Sequence, residues 1–333
     1  MKQEMESDGD LVVLRAGETL VALAAVEKLR EEARDFAQSA KADNTLRAYA
    51  SDWKDFTDWC EWHQREPLPA SPETVALYLT HLAREMKPST IQRRIASISQ
   101  AHATAGFEET PTKTADVRAV WQGIRRNKGV VQAAKTPVLT PDLREMIQHL
   151  PQGRLLSLRD RSLLLLGFAG AMRRSELVSL NVEDVVETAE GLVVTIKKSK
   201  TDQEGMGRKV GIPYGSKHAT CPVRALKEWK TAAGLETGPL FRPINRHGKV
   251  LAARLGDRAV ALVVKRTVEA AGREPDEFAG HSLRAGLATA AAMAGVSERV
   301  IQEQTGHKSL PVLRRYIRDG SLFRENAAAE VGL

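Results

Sequence analysis

Four stretches in the second half of this 333-residue chain place cations, imidazoles and a phenol at suggestive spacings. In Gly170-Ala171-Met172-Arg173-Arg174-Ser175-Glu176-Leu177, two guanidiniums and a carboxylate follow directly on an apolar helical pattern. Residues 191–213 carry Lys197, Lys198 and Lys200 between two β-rich runs. His281-Ser282-Leu283-Arg284 sets an imidazole and a guanidinium three residues apart, a spacing that points both the same way on a helix. His307 follows Thr305-Gly306, and Tyr316 comes nine residues later within Leu313-Arg314-Arg315-Tyr316-Ile317-Arg318. Guanidiniums present paired donors to an anion and stay charged, imidazoles exchange protons near neutrality, and a phenol becomes a nucleophile once deprotonated. Taken singly, each group has an ordinary reading as a solvated arginine, a soluble basic turn or a buried structural tyrosine.

The elements that would hold these groups follow from periodicity. Val26, Leu29, Ala33, Phe36 and Ala40 make a narrow apolar stripe on a helix over 18–40, which must pack on its own domain or on another subunit. Asn44 can cap a second helix with Leu46, Tyr49, Trp53, Phe56 and Trp59 inward. Ser71-Pro72-Glu73-Thr74 reads as a cap with a first-turn proline, Ser89 opens a further helix, and residues 114–127 give one more. No strand-like alternation precedes residue 130, so the first domain is expected to be helical. Residues 128–137 have weak periodicity and end in Thr-Pro, which marks a linker. Beyond it, helices are expected from Thr140, over 159–171, 221–233, 254–271, 282–294, 298–305 and 311–317. Residues 192–196 and 209–212 form a hairpin with a basic tip.

Composition narrows the classes. The length favours two domains, and 42% hydrophobic with 27% charged residues is an ordinary globular balance. The longest apolar run, Leu163 to Met172, is far short of the roughly 20 residues that span a bilayer. No membrane partner is expected, and the acidic start MKQEMESDGD lacks the pattern of a secretory signal, which points to the cytoplasm. Cys60 and Cys221 have no partner spacing for a disulfide framework or a zinc site. The net charge of +7 divides into −4 over residues 1–43, +3 over 44–136 and +8 over 137–333, a basic excess too modest to settle on nucleic acid. There is no clustered-carboxylate constellation for two metals and no G-x-x-x-x-G-K-[ST] loop for a nucleotide, so no cofactor is expected.

Together the chemical residues resemble the tyrosine recombinase (phage integrase) family, whose pattern is R-x-x-E, a hairpin lysine, H-x-x-R, then G-H and a tyrosine nine residues on. Arg173-Arg174-Ser175-Glu176, Lys200, His281-Ser282-Leu283-Arg284, Gly306-His307 and Tyr316 fill those slots in order. NTLRAYASDWKDFTDWC, SPETVALYLTHLAREM, STIQRRIASISQAHATAG and VRAVWQGIRRNKG look like successive helices of the amino-terminal domain of Cre-type recombinases, so the likeness covers about residues 20–333. It departs at Ala171, where the family often has glycine, and His307 takes the commoner family form where the Cre branch has tryptophan.

The resemblance implies a mainly α fold: a two-domain DNA clamp with an all-helical core-binding domain over 44–127 and an α-rich catalytic domain over 138–333 bearing a small antiparallel β-sheet. It implies a site-specific recombinase that cuts and rejoins DNA through a 3′-phosphotyrosine, without metal or ATP. Tyr316 would be the nucleophile, His281 its base and Lys200 the acid for the leaving 5′-oxygen. Arg173, Arg284 and His307 would carry the charge of the transition state, and Glu176 would orient the arginines. Arg47, Ser89, Thr90, Gln92, Arg93, Arg94 and Arg258 fall where family members meet DNA. The partners would be duplex DNA with a specific site and further copies of the chain, a tetramer on two sites with residues 1–43 and 322–333 as contacts. A type IB topoisomerase-like enzyme and a non-catalytic DNA-binding regulator are the competing readings.

Overall fold

The computed structural model describes residues 26–33, 36, 43–129, 134–197 and 207–321. The chain divides into two compact units, Met1–Gln132 and Ala133–Leu333. Among the described residues no helix is long and apolar enough to cross a membrane.

In the first unit, residues 26–33 are helical, and Val26, Leu29 and Phe36 of the expected stripe are exposed. Ala40 lies outside the described residues. Four helices follow: α1 (Asp43–Trp62), α2 (Pro72–Leu82), α3 (Pro88–Thr104) and α4 (Ala115–Lys128). Ser71 caps α2 by accepting from the Thr74 amide at 3.1 Å, and Pro72 supplies a first-turn residue with no amide to satisfy. The third helix starts at Pro88 with Lys87 as its cap, one residue before the expected Ser89, because the proline again fits the first turn. Phe56, Cys60, Val75, Tyr78, Leu79, Ile91, Ile98 and Val117 make the core. Each large apolar side chain buried there contributes about 1.5–3 kcal/mol. The expectation for Leu46 fails: it sits in the first turn of α1 and is 40% exposed, ahead of the point where α3 covers that helix.

The second unit contains α5 (Thr140–Gln148), α6 (Leu155–Ala169), α7 (Arg174–Ser179), β1 (Val185–Glu187), β2 (Gly191–Ile196), β3 (Arg208–Pro213), α8 (Pro222–Ala232), α9 (Asp257–Ala270), α10 (Ser282–Met293), α11 (Glu298–Thr305) and α12 (Leu310–Ser321). The strands pair antiparallel in the order β1-β2-β3, with Val185 opposite Val194 and Ile196 opposite Arg208. Leu192, Val194, Ile196, Val210 and Ile212 face the core, the period-two pattern of a sheet covered on one side.

Two contacts explain how the chemistry-bearing segments are brought in. Residues 136–138 lie along α10: the Thr136 amide donates to Glu277 O at 2.8 Å and the Val138 amide to Ser282 O at 3.0 Å. A Cβ on Gly286 would meet Val138 O at 1.9 Å, so only glycine admits that backbone approach. On the other side of α10, the small residues Ala288 and Ala292 receive Leu313 of α12 together with Ile301 of α11. The helix that carries Tyr316 is thereby seated on the helix that carries Arg284.

Candidate active site

Arg173 stands at the cap of α7, where the chain leaves α6 through a tight turn. Ala171 adopts φ +47 in that turn, a left-handed conformation costing about 1–2 kcal/mol for a residue with a Cβ. The turn aims Ala171 O at Arg284, whose Nη1 donates to it at 2.7 Å. Glu176 is buried and folds back on the cap: Oε2 accepts from the Arg173 amide at 2.9 Å and Oε1 pairs with Arg173 Nη1 at 2.5 Å. A buried carboxylate survives only when paired in this way.

His281 and Arg284, at the start of α10, turn toward the same side as expected. His281 Nε2 lies 3.2 Å from Tyr316 Oη, and the Tyr316 ring centroid is 5.9 Å from that of His307. His307 follows the left-handed Gly306 that ends α11, and its Nδ1 engages Thr305 Oγ1 at 2.7 Å. Two arginines share an unusual state. Arg284 is fully buried, and its Nε and Nη2 make no hydrogen bond among the described residues; Nε and Nη2 of Arg208 make none either, though Nη2 lies 3.7 Å from Glu176 Oε2. Those atoms form the side edge of a guanidinium, the edge that binds a phosphate bidentately.

The electrostatics follow from burial and crowding of positive charge. Burial, then Arg173 and Arg208, hold Arg284 down to about 10, with Glu176 and Tyr316 opposing. Burial and then Arg284, Arg173 and Arg174 push His281 below the usual histidine value. Burial and the surrounding Arg284, Arg173, His281 and Arg208 take His307 to about 3. Both imidazoles are therefore neutral at pH 7, and Arg284 and Arg208 are cations that their burial disfavours. Among the described residues no group of three His, Cys, Asp or Glu side chains is arranged to hold a metal ion.

Residues 137–321 match the phage integrase family, and residues 36–106 match the phage integrase N-terminal SAM-like domain. The chain belongs to the phage integrase family. This tyrosine recombinase is 45% identical over 303 residues to an integrase/recombinase XerD homolog of Selenomonas ruminantium, covering 90% of this chain and 89% of that one. It is 23% identical over 303 residues to the recombinase Cre of Escherichia phage P1, covering 85% and 86%. In fold it is similar to a lambda integrase dimer bound to a COC′ core site, with a TM-score of 0.59 and 18% identity over 90% of this chain and 77% of that one. It is also similar to the XerH recombinase in a post-cleavage complex with a difH substrate, with a TM-score of 0.57 and 18% identity over 78% and 72%.

The recombinase thus gathers Arg173, Glu176, His281, Arg284, His307 and Tyr316 in one place. Lys200 lies between β2 and β3, outside the described residues. In the first unit Arg47, Ser89, Gln92 and Arg93 are exposed and Thr90 is half-buried. Arg94 departs from the expectation of a base-reading role. It is buried, donates to Asp55 and to Tyr78 Oη, and pairs with Asp52 at 3.7 Å, so its guanidinium is spent inside the unit. In the second unit Arg258 is exposed on the first turn of α9. Reading the sequence missed Arg208 altogether: the hairpin it opens is legible, but its place beside Glu176 and Gln304 depends on how that hairpin packs against α7 and α11.

Proposed function

We propose that this recombinase cuts and rejoins duplex DNA by transferring a phosphodiester to Tyr316 Oη. The new P–O bond to tyrosine forms as the bond to the 5′-oxygen breaks, leaving a 3′-phosphotyrosine and a 5′-hydroxyl. His281, neutral and 3.2 Å from Tyr316 Oη, takes the phenolic proton. Lys200 supplies the proton to the leaving oxygen. Arg173, Arg284 and, with its proton on Nε2, His307 stabilise the charge that builds on the nonbridging oxygens. Glu176 holds Arg173 in place. The covalent link retains the diester's free energy, so rejoining needs no ATP, and the guanidiniums do the charge work that a metal would otherwise do.

The observation that carries this reading is the phenol within reach of a neutral imidazole, beside an arginine whose bidentate edge has no acceptor among the described residues. On it we build the wider proposal. The two units close on duplex DNA as a clamp, contacting it through Arg47, Ser89, Thr90, Gln92, Arg93 and Arg258, while Arg94 serves the fold. Exchange between two sites takes four copies, joined through the apolar stripe of residues 26–36 and through residues 322–333. The cytoplasm and its nucleoid are where such a substrate is met.

Two measurements test it. Incubation with DNA that carries the recognition site, in EDTA and without nucleotide, should yield a protein–DNA adduct that survives denaturation; strict Mg²⁺ dependence of strand cleavage would defeat the reading. The pH profile tests the base. Because His281 is held below 6.5, its neutral form persists to lower pH than an ordinary imidazole allows, so the acid limb of single-turnover cleavage should have its midpoint below pH 6.5. A midpoint at or above that value, or an unchanged limb in His281→Gln, would remove His281 from the role.

A further inference from the structure

Arg208 opens β3 and is turned inward against the active site rather than out toward solvent, with 22% of its side chain exposed. Three contacts fix it. Its Nη1 donates to Gln304 O at 3.0 Å, near the end of α11. Its Nη2 lies 3.7 Å from Glu176 Oε2, on the opposite oxygen from the one that pairs with Arg173 Nη1. Its guanidinium lies under Gly306: a Cβ there would meet Arg208 Nε at 2.9 Å and Cζ at 3.0 Å. The glycine of the Gly306-His307 pair is favoured by its φ of +65, and its lack of a Cβ lets the Arg208 guanidinium pack directly beneath the turn.

We infer that Arg208 is a positioning residue of the phosphate site, which braces the Gly306-His307 turn and counterbalances Glu176 so that Arg173 and His307 are held for the scissile phosphate. The inference rests on the function proposed above. Its physical logic is one of charge. Glu176 is buried with Arg173 as its hydrogen-bonded partner. When Arg173 turns its donors to a phosphate, the carboxylate needs a second cation, and among the described residues Arg208 lies within reach at 3.7 Å. Without Arg208, Glu176 holds Arg173 more tightly or takes up a proton, and either change weakens the phosphate contact. Among the described residues Arg173, Arg208 and Arg284 crowd around the buried carboxylate of Glu176, a net positive site that suits the negative charge building on the nonbridging oxygens. Burial, with Arg173 nearby, keeps Arg208 below the usual arginine value, in keeping with a cation that the fold alone does not fully compensate.

The test compares Arg208→Met, which keeps the stem and removes the charge, with Arg208→Lys, which keeps the charge and loses the planar fork. Each is assayed for duplex binding and for single-turnover covalent attachment, on ordinary DNA and on DNA with sulfur in place of the bridging 5′-oxygen, whose leaving group needs no proton. Arg208→Met should bind DNA within about threefold of wild type, attach about 10- to 100-fold more slowly, and remain as slow on the sulfur substrate. Arg208→Lys should recover part of the loss. Attachment by Arg208→Met within threefold of wild type would overturn the inference. So would relief of the defect by sulfur, because Arg208 would then serve only leaving-group protonation. Loss of cooperative melting in both variants would overturn it too, making Arg208 a support of the fold. Failure of the wild type to form an adduct on either substrate would instead sink the proposed function itself.

Discussion

Tyr316→Phe should lose covalent DNA attachment entirely while binding duplex DNA within about threefold of wild type. The substitution deletes one oxygen, which is the only atom of that side chain able to form a phosphoester. Removing the nucleophile of a comparable covalent enzyme lowers turnover by about 10⁶-fold, which places the residual rate below detection in a denaturing gel. The ring stays in its place, because what seats it is the packing of Leu313 and Ile317 against Ala288, Ala292 and Ile301, and phenylalanine preserves that volume. The hydrogen bond lost is the 3.2 Å contact with His281 Nε2, worth about 1 kcal/mol, so folding should hardly change. Binding and melting measured beside the attachment assay make the result decisive. Strand cleavage by this variant at anything near the wild-type rate would end the assignment of Tyr316.

Much of this arrangement can be read from the chain without coordinates, and the reasons the rest cannot are physical. Helices whose apolar residues keep a 3.6 period are legible: Glu298–Thr305 falls where expected, and Ser71-Pro72 opens α2 as its cap chemistry predicts. The boundary of α6 is less legible. It is expected from residue 159 but starts at Leu155, and Arg159 and Asp160, the polar residues of its first turns, are buried as an ion pair completed by Arg266 from α9. A partner 106 residues away leaves no local signal. The three-residue β1 is too short for any alternation to show and exists because Val185 and Val186 pair with β2. The same distinction governs the site. Motif spacing places His281 and Arg284 on one side of a helix, since that depends only on helical geometry. It says nothing of Asp55 and Tyr78 enclosing Arg94, or of Glu176 reaching Arg208, because each of those joins separate elements through tertiary packing. Ala171 is instructive in a different way. The resemblance leads one to expect glycine at this position, and the φ of +47 shows why glycine would suit a turn that delivers its carbonyl to Arg284.

Arg284→Met should abolish cleavage without destabilising the protein, and that pairing separates a substrate-binding arginine from a structural one. The guanidinium is fully buried, and burial, then the neighbouring Arg173 and Arg208, push its value down from the ordinary arginine range to about 10. A drop of that size corresponds to about 3 kcal/mol working against the charged form. At pH 7 Arg284 is still a cation, so the folded state bears the whole of that cost. Methionine has a similar stem and no charge, and it removes the cost. Against this stands the bond to Ala171 O at 2.7 Å, whose loss leaves a buried carbonyl short of a donor at about 1–3 kcal/mol. The two effects are of similar size, with the charge the larger on average, so the variant should melt at or slightly above the wild-type temperature. Cleavage tells the opposite story. Removing a preorganised donor from a developing oxyanion commonly costs about 2.7–4 kcal/mol, a fall of about 10²–10³ in rate, and Arg284 brings two such donors along its unpaired edge. If Arg284 were instead a strut of the fold, replacing it would lower the melting temperature by many degrees and leave attachment per folded molecule near normal. Single-turnover attachment and thermal melting of the same preparation distinguish these outcomes. If both results hold, Arg284 is kept at a cost in stability with Nε and Nη2 unpaired among the described residues, and the phosphate contact proposed above is what that cost serves.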